Sequence, residues 1–363
     1  MANSLAQLPW EACLIEPHKD RAVEAFARRT QGVPSPTVAY FATVPWLARA
    51  TCELHPRYGL LVHLDPVVAD LVSMAVTQEN SCRFCYTAVR AMLWSQGMDT
   101  ARIDRIEEEL ARGDLPERTL ACVLFGRAQS RSGPGAAHGA CEALRRAGVS
   151  DDEVKEIAYA VAVTDFMNRV HTIPAIPTRH FERLPEQWLM RLMRPLVGRL
   201  MRGRESRGTR TSMPAVTAPP YHDLVAAYAG SPIGAALQRT LDAMWASTVL
   251  TRRCKLLMLA VIAHGLSCEA CALRLGPALE AEGLAADAVE RILTHLDAPE
   301  LDPTERLLVP FARETIWYEP QRIQRQARAV RERLPEPQFV EAIGVAGLGN
   351  GLCRMAAILG CAG

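Results

Sequence analysis

The sequence predicts an all-α fold, built as two tandem helical-bundle repeats, and three observations carry that prediction. Apolar residues recur at helical spacing along almost the whole chain. No stretch shows the sustained alternation with β-branched enrichment that a half-buried strand requires. The chain also aligns with itself at a nearly constant offset.

Taken in order, the first well-marked element starts at Asp65 and Pro66, an N-cap acceptor followed by a ring that presets the first turn. Val68, Leu71, Val72, Ala75 and Val76 then form one stripe, so the spacing predicts a helix ending near Gln78. Ser81 is the expected cap of a second helix, in which Cys85, Ala88, Val89, Met92 and Leu93 share a face and Gly97 is the terminator. Asp99 is expected to cap a third, carrying Ile103, Ile106 and Leu110 and closed by Gly113. A long apolar helix follows Asp151 and Asp152 through "VKEIAYAVAVTDFMNRV".

The plan then recurs. Residues 64–86 lie over 250–272 at an offset of 186, and "AVTDFMNRV" lies over "GLGNGLCRM" at 185, which places Arg169 on Arg354. The agreement of two separate segments predicts an N-terminal extension (1–36), a first repeat (37–180), a basic linker (181–222) and a diverged second repeat (223–363). Within the linker, 187–203 sets Trp188, Leu192, Leu196 and Leu200 on one side and Arg191, Arg194 and Arg202 on another, with Pro195 bending it. A basic amphipathic helix can bind an anionic membrane surface. The stripe is short and interrupted, so packing against protein is the favoured reading.

Bulk properties narrow the function classes. At 363 residues the chain is comfortable for two domains, and 49% hydrophobic with 22% charged content is that of an ordinary globular protein. A net charge of +1 gives no sign of nucleic-acid binding. The amino terminus lacks a basic segment followed by an apolar one, and no apolar run approaches about 18 residues, so a cytoplasmic location is expected. Eleven cysteines, an odd number, suit a reducing compartment better than a disulfide framework.

The chemistry lies in two CxxC pairs, Cys82 with Cys85 in "ENSCRFCYTAV" and Cys268 with Cys271 in "HGLSCEACALRL". A helix amino terminus carries partial positive charge and unpaired N–H groups that favour thiolate over thiol. Two cysteines one turn apart can pair, so a first attack on a peroxide or disulfide can be resolved internally. Proton transfer also needs an acid or base. Asp70 and Glu79 are the candidates for the first pair, and His264 and Glu269 are the nearest titratable neighbours of the second. A zinc site of four cysteines shared by both pairs meets the ligand count. It would require two distant helix starts to converge, so no metal is expected. Cys13, Cys52, Cys122, Cys141, Cys254, Cys353 and Cys361 lack paired spacing and read as core or surface thiols; His138 and His171 read as structural, with Asp165 and Asn168 as weaker candidates for the same cavity.

An acidic residue about a dozen positions before SCxxC, in a helical unit of this size ending in a "VTDFMNRV"-like segment, resembles the AhpD-like alkylhydroperoxidase and carboxymuconolactone decarboxylase family. The resemblance covers roughly 37–180 and 223–363. It implies that Cys85 attacks the peroxide, that Cys82 resolves it and that Asp70 occupies the acidic position. The family's relay histidine would fall on Val89 in the first copy and Leu275 in the second, neither of which moves protons. The resemblance further implies peroxidase-type oxidoreductase activity on a small hydroperoxide or disulfide, no bound cofactor, an external dithiol electron donor and homo-oligomers. The alternatives are a decarboxylase-like enzyme acting on a small organic acid, and a binding or assembly protein.

Overall fold

The computed structural model describes residues 5–31, 37–55, 59–108, 114–131, 137–178 and 220–360. Its described residues are helices joined by turns, without strands. Short 3₁₀ turns at Leu5–Gln7 and Val38–Phe41 accompany α1 (Arg21–Gln31) and α2 (Pro45–Glu53). They lead into α3 (Pro66–Glu79), α4 (Arg83–Ser95), α5 (Thr100–Glu108), α6 (Glu117–Arg131), α7 (Ala137–Arg146) and α8 (Asp151–Thr172). The second half holds α9 (His222–Ala226), α10 (Pro232–Ala246), α11 (Arg252–Gly265), α12 (Glu269–Ala281), α13 (Ala286–His295), α14 (Pro303–Glu314), α15 (Pro320–Arg331) and α16 (Glu336–Leu359). The predicted linker helix at 187–203, and the Leu110 and Gly113 end of the third predicted helix, lie outside the described residues.

The local signals account for most helix starts. Asp65 accepts from Val67 N ahead of Pro66, and Ser150 forms a capping box with Glu153 at α8. Ser81 does not act as the expected cap. Its φ is +50°, because the tight α3–α4 reversal needs a left-handed residue there, and Cys82 takes the N-cap place instead, its sulfur accepting from Cys85 N. Ser267, which aligns with Ser81, has φ +54° in the α11–α12 turn, and Cys268 holds the N-cap position of α12 without a side-chain cap bond.

Among the described residues the long helices α8 and α16 make the most extensive contact, and they are buried on nearly all sides. α16 is long and apolar enough to span a membrane by composition, although no uninterrupted apolar run marks it in the sequence. In its most apolar window 89% is buried inside the protein, as a core helix requires. Close approach of α8 and α16 depends on glycine: a Cβ on Gly351 would meet Ala162 O at 2.5 Å, and one on Gly347 would meet Phe166 and Val170 at 3.1–3.2 Å.

The two halves share one contiguous core, from Ile15 to Ile358. They also repeat particular polar devices at aligned positions. Glu156 on α8 accepts from Leu64 N at 2.6 Å, and Glu341 on α16 accepts from Leu250 N. Arg169 reaches across to Thr315 O and Ile316 O at 2.9 Å, and Arg354 reaches back to Ser130 O at 3.2 and 3.3 Å. Both arginines meet the buried Asp165 carboxylate, at 3.0 and 2.6 Å, and Asn80 Nδ2 donates to the same group at 2.7 Å.

The glycine packing gives a stability test. Gly351→Ala should cost about 1–3 kcal/mol through overpacking, measured by urea unfolding. Gly276→Ala, where a Cβ meets nothing within 4 Å, should be neutral or stabilising by up to about 1 kcal/mol. Equal effects at the two positions would contradict close α8–α16 approach.

Candidate functional site: a buried cysteine pair and a buried cysteine trio

The first pair sits where the α3–α4 turn meets the end of α8. Cys82 is fully buried and Cys85 is 7% exposed. Cys85 N donates to Cys82 Sγ at 3.3 Å, so the sulfur satisfies one of the amides left open in the helix's first turn. Around it stand Thr172 from α8 and Tyr318 from the segment after α14. Both hydroxyls are buried, and that of Thr172 lies within hydrogen-bonding reach of Cys82 and of Tyr318. The amino-terminal segment lies across the turn: Arg83, between the two cysteines, donates to Leu8 O at 2.9 Å, and Trp10 Nε1 donates to Ile176 O at 3.0 Å.

The two sulfurs are driven apart electrostatically. Burial would raise Cys82, but donation from the Cys85 thiol, Thr172 and the Cys85 and Phe84 amides outweighs it, and its pKa falls below the ordinary 9.0. Cys85 is pushed well above 9.0, first by burial and then by its hydrogen bond to Cys82. The first proton to leave the pair is therefore that of Cys82, while Cys85 holds its own.

His171, read from sequence as structural, faces this pair. Its ring stacks on Phe84 at 4.1 Å and meets Phe41 edge-on at 5.9 Å, with Nδ1 4.0 Å from Cys85 Sγ. Nδ1 also lies 2.7 Å from Met167 O, and since a carbonyl only accepts, the proton resides on Nδ1. Burial lowers the imidazole pKa to about 4, which keeps the ring neutral. Only its position two places past Arg169, on the segment already assigned to the cavity, could have flagged it.

The predicted carboxylates go elsewhere. Asp70 is buried and accepts from Gln96 Nε2 at 2.9 Å, at the C-terminal end of α4, because α3 and α4 run antiparallel. Gln96 is about 16 Å along the helix from Cys85, which corrects the expectation that Asp70 attends the thiols. Glu79 adjoins the turn in sequence, but its carboxylate is bound by Arg127 and Arg131 of α6. Arg90 pairs with Glu107 and Asp104. Val89 is buried in the core.

In the second half, Cys268 holds the N-cap position of α12 and Cys271 follows in its first turn, while Cys353 comes in from α16. The three sulfurs lie within 4.8 Å of one another and all three residues are buried. Cys353, expected to be an isolated core or surface thiol, thus belongs to a cluster; it aligns with Asn168, the position assigned to the cavity of the first half. Hydrogen bonds from Cys271 and Cys353 lower Cys268, and bonds to Cys268 and Cys271 raise Cys353. Cys271 is raised as well, by its bond to Cys268. His264 is exposed at the end of α11. Leu275 is buried. By contrast burial alone leads the rise of Cys52 and Cys122 to about 11 and of Cys254 to about 12, the condition of inert packing thiols. A cleft of about 580 Å³ between α14 and α15, lined by Arg306, Phe311 and Gln326, includes none of these cysteines.

The buried imidazole imposes a pH dependence. Its folded pKa of about 4 lies below the ordinary 6.5, so its stability contribution is complete above 6.5 and is lost as pH falls from 6.5 towards 4. The difference in unfolding free energy between wild type and His171→Leu should shrink by about 3 kcal/mol across that interval, read from urea titrations. A difference independent of pH would place the ring in water.

Comparison with protein-family models, with curated proteins and with solved structures finds no match to this chain.

Proposed function

We propose that the protein is a thiol-dependent oxidoreductase in which Cys82 and Cys85 cycle between dithiol and disulfide at the expense of a hydroperoxide or a small disulfide. The observation that carries this reading is the geometry of two adjacent thiols at one helix start, with Cys85 N donating to Cys82 Sγ at 3.3 Å and the His171 ring 4.0 Å from Cys85 Sγ. Burial raises the packing thiols Cys52 and Cys122, whereas here Cys82 is lowered and only Cys85 raised. The polar contacts repeated at aligned positions support the further reading that two AhpD-like repeats make up the chain.

Cys85 is the less buried residue of the pair, and we assign it as the sulfur that meets the oxidant. Its proton passes to the Cys82 thiolate along their shared hydrogen bond, so Cys82 serves as the base that the family's histidine would supply. The Cys85 thiolate attacks the outer peroxide oxygen, the O–O bond breaks, and the departing alkoxide takes a proton from solvent. Cys82 then attacks the resulting Cys85 sulfenic acid; its thiol proton leaves with the hydroxyl as water. One hydroperoxide is reduced to alcohol and water, and two thiols are oxidised to one disulfide. His171 keeps its Nδ1 proton directed at Met167 O and stands 4.0 Å from Cys85 as a neutral neighbour, not as its base. An external dithiol returns the pair to the reduced state by exchange.

One equivalent of cumene hydroperoxide should remove two thiols per chain and yield a Cys82–Cys85 disulfide by peptide mapping. Cys85→Ser should abolish the reaction, and Cys82→Ser should halt it at the sulfenic acid. Thr172→Val removes one donor to Cys82 and should move the pH–rate profile for disulfide formation upwards. Retention of all thiols by the wild type sinks the redox reading and returns the pair to packing.

A further inference from the structure

The trio in the second half differs from the pair in kind. Cys268 and Cys271 come from the start of α12 and Cys353 from the central helix α16, so two independently anchored elements present three sulfurs to one point. Among the described residues no other group of three or more histidine, cysteine or acidic side chains converges in this way. We propose that Cys268, Cys271 and Cys353 form a site for a thiophilic divalent cation of the zinc class, with Tyr221 or a water completing four-fold coordination.

The geometry is close to what such an ion needs. Zinc–thiolate bonds of about 2.3 Å put the sulfurs of a tetrahedral site about 3.8 Å apart, against separations of at most 4.8 Å here. A rotamer adjustment of no more than about 1 Å closes the site. The donor set is all sulfur, without carboxylate, which disfavours magnesium and calcium and favours zinc-class ions.

A second observation points the same way. Tyr221 is 1% exposed, its hydroxyl has no hydrogen-bond partner, and it is near enough to feel the charge of all three cysteines. An unpaired buried hydroxyl is costly, and a metal beside it would relieve that cost. Arg274 approaches Cys268 and Cys271, and its buried Nη1 is likewise unpartnered while its other nitrogens hold Asp223. Three thiolates around a divalent ion leave one net negative charge, which that guanidinium offsets. The first pair has Asn168 and His171 where this half has Cys353 and Ala356, so it lacks the third sulfur.

The test uses the full-length chain, reduced and stripped with chelator, and Co²⁺ as the probe. One Co²⁺ per chain should bind, with thiolate-to-cobalt charge transfer and the visible bands of a tetrahedral ion. Cys353→Ser should weaken binding by at least about tenfold, while Cys85→Ser leaves it unchanged. Because Cys353→Ser could disturb folding, zinc-edge X-ray absorption on the wild-type protein gives a reading without substitution: three sulfur neighbours at about 2.3 Å and one oxygen. Absence of charge transfer, undiminished binding in Cys353→Ser, lost binding in Cys85→Ser, or a shell without three sulfurs would each overturn the proposal. So would oxidation of Cys268 and Cys271 to a disulfide in place of metal uptake.

Discussion

Two arginines from different helices converge on one buried carboxylate, and the architecture follows from that junction. Asp165 lies at the centre of α8, with Arg169 one turn along the same helix and Arg354 arriving from α16, all nearly free of solvent. One carboxylate cannot neutralise two guanidiniums. The remaining charge is met by carbonyls at helix ends: Thr315 and Ile316 beyond α14 for Arg169, and Ser130 in the last turn of α6 for Arg354. The negative end of a helix dipole suits a cation, so each half terminates a helix against the other half's arginine. Loss of one partner from such a buried network typically costs about 3–5 kcal/mol, because the groups left behind keep their charge without their company.

The same junction places the chemistry. Arg169 fixes the last turn of α8, from which Thr172 and His171 reach the first cysteine pair, and it holds the stretch of chain that carries Tyr318, over whose ring its guanidinium lies at 5.5 Å. The first site is therefore completed by a residue from the second half. The glycines of α16 let that helix lie against α8, and the next residues along it present Cys353 to the second pair. Two turns with the same backbone, each with a serine at positive φ before the cap cysteine, thus lead to different surroundings. One pair faces an imidazole and hydroxyls; the other faces a third sulfur.

Helices and cysteine pairs were legible in the sequence because they rest on local signals: Asp65 before Pro66, Asp151 and Asp152 ahead of the long apolar helix, periodic apolar stripes, and CxxC spacing. Partners brought by tertiary structure were not. Asp70 has the right sequence distance from Cys82, but an antiparallel hairpin carries it to the far end of α4. Glu79 is adjacent in sequence yet engaged by two arginines of α6. Ser81 looked like a cap because its type is right, whereas the turn demands a left-handed backbone that a cap cannot adopt. His171 and Cys353 sit on the long, uniformly buried helices, where a 3.6-residue pattern has no polar face to mark which residues meet a site. The alignment of the sequence with itself was the best signal available, since it ties Cys353 to Asn168 without knowledge of any contact.

The proposed chemistry stands on the division of one charge between two sulfurs, with the anion on Cys82 and the proton on Cys85. Titration of the reduced protein labelled with ¹³Cβ-cysteine reads both groups directly by NMR, with Cys82→Ser and Cys85→Ser providing assignment. The Cys82 signal should move at a pH below the ordinary 9.0 and the Cys85 signal well above it. Reversed order, or two signals both displaced upwards as for Cys52 and Cys122, would contradict it.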